Sequence, residues 1–140
     1  MTRALSALPA IALLAIAPLA SAAHAQAPAA AAVQPDFSRV ENLAAAQALA
    51  REDKLVPVLL FPAEVGGPDV PPNTVYITPE AAAERARAIA TIIAMLEEDK
   101  LDQMDVKPVY KGESVVPSSI VMKAWHTATG ETFDVTIPVW

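Results

Sequence analysis

No cysteine occurs anywhere in the 140 residues. That absence removes disulfides, thiolate metal sites, iron–sulfur clusters, cysteine nucleophiles and lipid attachment through a thiol. Glycine is nearly as scarce, with four residues. The one Gly-Gly pair, Gly66-Gly67, runs into Pro68 and has no lysine of the kind a phosphate-binding loop needs, so nothing here points to a nucleotide cofactor. Positive charge is also short: ten Lys and Arg face sixteen Asp and Glu, a net charge of −6 with a pI near 4.8. A polyanion is therefore a poor partner, because phosphate backbones attract cationic surfaces. Aromatic residues make up 5% of a chain that is 54% hydrophobic. One modest domain is what this length supports.

What is present begins with a tripartite leader. Arg3 supplies an early positive charge, Ile11 to Leu19 an apolar centre, and Ala23-His24-Ala25 a small-residue ending before Gln26. These are the parts of a cleavable secretory signal peptide, cut between Ala25 and Gln26. An uncleaved anchor would need about 20 uninterrupted apolar residues, and Pro9 and Pro18 break the available window. The expected destination is the bacterial periplasm, with no membrane attachment after cleavage. Gln26 to Pro35 (QAPAAAAVQP) carries no charge and little to pack, and reads as a flexible linker.

The rest, residues 36–140, reads as a single α+β domain. Phe37, Val40, Leu43 and Ala48 recur at helical spacing, and Ser38-x-x-Glu41 has capping-box spacing, so an N-terminal helix is expected over Asp36 to Asp53. Leu55 to Phe61 and Asn73 to Ile77 read as strands joined by a proline- and glycine-rich loop, Pro62 to Pro72. Thr78-Pro79-Glu80 is a strong helix start and predicts one long helix from Pro79 to Lys100. Val106 to Tyr110, Ile120 to Thr127 and the alternating Phe133-to-Val139 segment complete the strands. Pro57 should sit at the start of its strand or face an unpaired edge, and Pro138 should mark an outer edge of the last strand or the point where it leaves the sheet. The expected architecture is a mostly antiparallel sheet of about five strands packed on one long helix, with the additional N-terminal helix beside it.

Candidate chemistry is sparse. Beyond the leader there is one histidine, His126; a hydrolase would need it beside Ser114, Ser118 or Ser119 with an acid such as Asp134. No nucleophile-elbow pattern accompanies it, and an ordinary strand histidine is the simpler reading. Glu97-Glu98-Asp99, Asp102 and Asp105 form the densest charge cluster, but without the alternating ligands and central glycine of a calcium loop they read as a solvated surface, and no metal is expected. Tyr76, Tyr110, Trp125 and Trp140 are the candidate lining of a peptide or ligand groove, against the alternative of sheet packing.

Three segments resemble the import-chaperone family of the chloroplast inter-envelope space and its cyanobacterial periplasmic relatives: Val56-Pro57-Val58-Leu59-Leu60-Phe61, Val75-Tyr76-Ile77-Thr78-Pro79-Glu80-Ala81-Ala82, and Asp105-Val106-Lys107-Pro108-Val109-Tyr110. The likeness covers Leu55 to Glu113; the chain departs from the family in its short length, its Gly66-Gly67-Pro68 loop and its Trp-containing terminal hairpin. The resemblance implies a non-enzymatic, chaperone-like protein and no catalytic residues. Together the sequence leads to an exported, non-catalytic binding protein that meets a polypeptide or another envelope protein through an apolar groove or a sheet edge. Two alternatives stand beside it: a small periplasmic hydrolase using His126 with a serine, and an inhibitor or accessory subunit presenting the Pro62 to Pro72 loop.

Overall fold

The computed structural model describes residues 35–140. The signal peptide, its cleavage site at Ala25 and Gln26, and all of the expected linker but Pro35 lie outside the described residues. Two helices and five strands follow in the order α1 (Leu43–Arg51), β1 (Val56–Leu59), β2 (Thr74–Ile77), α2 (Pro79–Glu97), β3 (Gln103–Val109), β4 (Ser119–Trp125) and β5 (Thr132–Pro138). The fold is α+β, as the sequence implied.

The N-terminal helix is shorter than expected. It starts at Leu43 because the Asn42 side chain accepts from Ala45 N–H at 2.9 Å, a cap inside the segment that the Ser38 capping box was expected to open. Phe37 to Val40 is instead a turn, closed by Val40 N–H on the Phe37 carbonyl. It is held to the rest of the protein by Ser114 Oγ–H on the Phe37 carbonyl and Val115 N–H on the Val40 carbonyl. The long helix begins where Thr78-Pro79-Glu80 predicts: Thr78 Oγ1 accepts from Ala81 N–H. It stops at Glu97, three residues short of Lys100, as Asp99 turns left-handed at φ +56°.

The expected five-stranded sheet is two sheets. β1 and β2 pair antiparallel as one, and β3, β4 and β5 form an antiparallel meander as the other. Proline explains the division once the register is known. His126 N–H donates to the Glu131 carbonyl and Val139 N–H to the Ser118 carbonyl, so the bonded pairs between β4 and β5 are Ile120 with Ile137 and every second pair after it. Pro138, opposite Ser119, then turns its nitrogen to the free edge of β5. Because Ile120 directs its backbone toward β5, Pro108 opposite it turns its nitrogen to the free edge of β3. In the smaller sheet Leu60 N–H donates to the Asn73 carbonyl, which makes Val58 with Val75 a bonded pair and leaves Pro57 facing the free edge of β1. The Leu59 carbonyl on that same edge is taken by Nη2 of Arg85 from α2. Three of the four edges thus lack a donor where a neighbouring strand would need one, and the two sheets stay apart.

Burial follows the alternation. Ile120, Met122 and Ala124 of β4 and Ile137 of β5 lie on the inner face, with Ile89 and Ile92 of α2, Ile77 of β2, Leu55 and Leu101 completing the core. Each fully buried Leu, Ile or Met contributes about 1.5–3 kcal/mol relative to exposure. The loop between β1 and β2 is more ordered than its composition suggests. Two 3-10 turns, Ala63–Val65 and Pro71–Asn73, occupy it. Asn73 ties it together, accepting from Phe61 N–H at 2.8 Å and donating to the Phe61 and Pro68 carbonyls at 3.0 and 2.9 Å. Gly67 is obligatory there, because a Cβ would lie 2.0 Å from the Phe61 carbonyl oxygen.

Candidate functional site

One edge is left, that of β2. Its outward backbone positions are Thr74 and Tyr76, the residues whose partners on β1, Leu59 and Pro57, form non-bonded pairs. Thr74 N–H is engaged with the Pro71 carbonyl. The Thr74 carbonyl and both backbone groups of Tyr76 have no partner outside the β1–β2 ladder among the described residues. Thr74 and Tyr76 also line a groove of about 310 Å³, with Leu43 and Gln47 of α1 on the other wall and Asp69, Val70 and Pro71 of the loop at its end. Leu43 and Gln47 are four residues apart and so share one helix face. Leu43 is 54% exposed and Val70 42%, an unusual degree of exposure for two branched aliphatics that meet in one groove. The Asp69 carboxylate is exposed at the rim and forms no ion pair with any described residue.

The four aromatics expected to line a site do not share a surface. Tyr76 is in the groove. Tyr110 follows β3 at the end of the larger sheet where Ser118 and Trp140 also lie, and partial burial raises its phenol above the ordinary value. Trp140 is fixed there by Nε1–H on the Val116 carbonyl at 3.1 Å, with the Lys111 ammonium 5.3 Å from its ring. Trp125 closes the opposite end of β4, six residues from Ser119, or about 20 Å away at 3.3 Å per residue. Of the groove's lining, sequence reasoning found only Tyr76. The available signal for another was Val70, the branched aliphatic nearest the proline pair in a loop otherwise rich in small and polar residues.

His126 is placed for structure. Its Nδ1 accepts from Ala128 N–H at 3.0 Å and from Thr129 N–H at 3.3 Å, shaping the turn between β4 and β5. With two backbone N–H groups directed at Nδ1, the Asp102 carboxylate stands 4.0 Å away from it, beyond hydrogen-bond reach. Ser118 and Ser119 stand at the far end of β4, and Ser114 and Ser118 spend their hydroxyls on the Phe37 and Val109 carbonyls. The structure does not bring His126 to any of the three serines.

The acidic cluster is dispersed. Asp102 receives Thr127 N–H and the Thr127 hydroxyl, Asp105 meets Lys107 at 2.9 Å, and Glu98 meets Lys100 at 2.6 Å. Those partners raise both lysines above their usual range. Among the described residues no three His, Asp or Glu side chains converge as metal ligands, and no helix is long and apolar enough to cross a membrane. Arg85 is 9% exposed, and burial pulls its guanidinium below its ordinary value; Nη2 serves the Leu59 and Leu60 carbonyls, while Nε has no partner. This arginine holds an edge closed rather than presenting charge to a ligand. Comparison with protein-family models, with curated proteins and with solved structures finds no match.

Proposed function

We propose that this is an exported, non-catalytic protein of the bacterial envelope that holds polypeptide segments in a chaperone-like manner, in the groove between α1 and β2. The observation that carries the reading is the coincidence, in one place, of two exposed aliphatic side chains, Leu43 and Val70, with the strand edge that has no blocking proline. Apolar contacts with backbone pairing recognise a chain without demanding a sequence, which suits a holding function. The dispersal of His126 and the serines favours binding over the hydrolase reading. The pinning of the Pro62 to Pro72 loop by Asn73 and Gly67 supports a second reading, that of an accessory subunit or inhibitor, since a preorganised loop spends less entropy on binding one dedicated partner.

The test is light scattering of a chemically unfolded, cysteine-free substrate protein diluted into buffer with the chain starting at Gln26. The expected result is suppression near equimolar ratio, lost in the Leu43→Lys, Val70→Lys double variant while its circular dichroism is unchanged. Undiminished protection by that variant would remove the groove from the reading, and no protection by the parent would remove the holding function.

A further inference from the structure

Binding in the groove has a mode that the backbone itself specifies, and this step rests on the function proposed above. We infer that the ligand is an extended, cationic peptide that adds as one further strand along β2, pairing with Tyr76.

Two observations carry this. The first is the pattern of closed edges. β1 is closed by Pro57 and by Arg85 on the Leu59 carbonyl, β3 by Pro108 and β5 by Pro138. Each proline sits at an outward-facing position, where it removes a donor from the free edge without costing a bond in its own sheet. On β2 the corresponding outward positions are Thr74 and Tyr76, neither of them proline, and Tyr76 presents both N–H and carbonyl. An incoming strand can therefore exchange a full pair of bonds with Tyr76 and give one more to the Thr74 carbonyl. That is a short edge, long enough to fix direction and register and too short to hold a chain alone. The side chains supply the rest: the incoming residue opposite Tyr76 faces the side on which Leu43, Val70 and Tyr76 lie.

The second observation is charge. The groove's charged lining residue is Asp69, exposed and without a cationic partner among the described residues, while Gln47 is neutral and no lysine or arginine lines the groove. The chain as a whole carries −6. An approaching peptide bearing lysine or arginine is attracted both at long range and at the rim, whereas an acidic one is repelled.

The experiment measures fluorescence anisotropy of a labelled octapeptide of alternating valine and lysine against the chain from Gln26 to Trp140. Two further versions carry backbone N-methyl groups on the four odd or the four even residues. A strand that adds to one edge uses the N–H groups of one parity. One methylated version should therefore bind at least about fivefold more weakly, from the loss of a net hydrogen bond of ordinary strength, and the other should bind like the parent. Replacing the lysines by glutamates should weaken binding, and Asp69→Asn should reduce the preference for lysine. The Tyr76 amide should exchange with deuterium more slowly when the peptide is bound. Binding that Leu43→Lys with Val70→Lys abolishes, but that ignores methylation of either parity, would leave the holding function standing and overturn strand addition. An unchanged Tyr76 amide would overturn it as well. No binding of any version, together with undiminished suppression of scattering, would also overturn strand addition; failure of both assays would take the function with it.

Discussion

Asp102 does its work through a neighbour's hydroxyl. It accepts Thr127 Oγ1–H and, at 2.9 Å, Thr127 N–H, and these bonds, led by the hydroxyl, hold its carboxyl below the ordinary carboxylate range. A carboxyl depressed in the folded state stabilises the fold above its unfolded value, near pH 4, and that contribution is lost as pH falls through the lower, folded value. The thermal midpoint should therefore decline on acidification below about pH 4. Asp36 adds to the same trend, because Ser38 holds its carboxyl down too. In Asp102→Asn the decline should be shallower, with a lower midpoint at pH 7, as read by circular dichroism melts across pH 2–7; parallel curves for parent and variant would show that the Thr127 bonds contribute nothing. Asn73 has a comparable local role, since its amide supplies three bonds that the loop backbone would otherwise lack. Neither role was legible in the sequence, where Asp102 was one member of an acidic run and Asn73 the first residue of a strand. Hydrogen-bond partners 25 and 12 residues distant are a product of the fold.

Among the elements, the start of α2 was the most legible, because Thr78, Pro79 and Glu80 write it in three letters; its buried face, which carries Ala81, Arg85, Ala88, Ile89 and Ile92, was less so. The five strands were legible, β5 by its alternation and the others as short apolar or β-branched runs bounded by turns. Their division into two sheets was not, because whether a proline blocks an edge depends on the parity of pairing, which alternation leaves open. Pro138 illustrates the point: the sequence allowed an outer edge or an exit from the sheet, and only the register with Ser119 and Ser118 shows that the strand still pairs there with its nitrogen on the free edge. The same gap hid the candidate site, whose walls, Leu43 and Tyr76, come from elements brought together after both have formed. Restoring donors should open the blunted edges. Pro108→Val with Pro138→Val is expected to leave the circular dichroism spectrum nearly unchanged while producing dimers or larger species at micromolar concentration. Light scattering coupled to size exclusion would detect them; a strictly monomeric double variant would mean that the prolines do not keep the edges apart.

At the scale of the molecule, the described chain is closed by contacts between its beginning and its last third. Phe37 is 6% exposed and Val40 8%, and the Phe37 carbonyl accepts from Ser114, 77 residues on. Phe37→Ala should cost about 3–5 kcal/mol in urea unfolding, the range for a buried aromatic cut to alanine. A loss under about 1 kcal/mol, the scale of a typical surface change, would mean that the turn is only loosely docked. The contact also orders events in time. With synthesis at about 5–20 residues per second, Phe37 emerges roughly 4–15 s before Ser114 exists to receive it. Within that interval β1, β2 and α2 are all made, so the segment that goes longest without its partners is the turn that holds Phe37 and Val40. The smaller sheet can pair while the larger one is still unmade. The turn that opens the described chain has no such early partner and must wait for the last third.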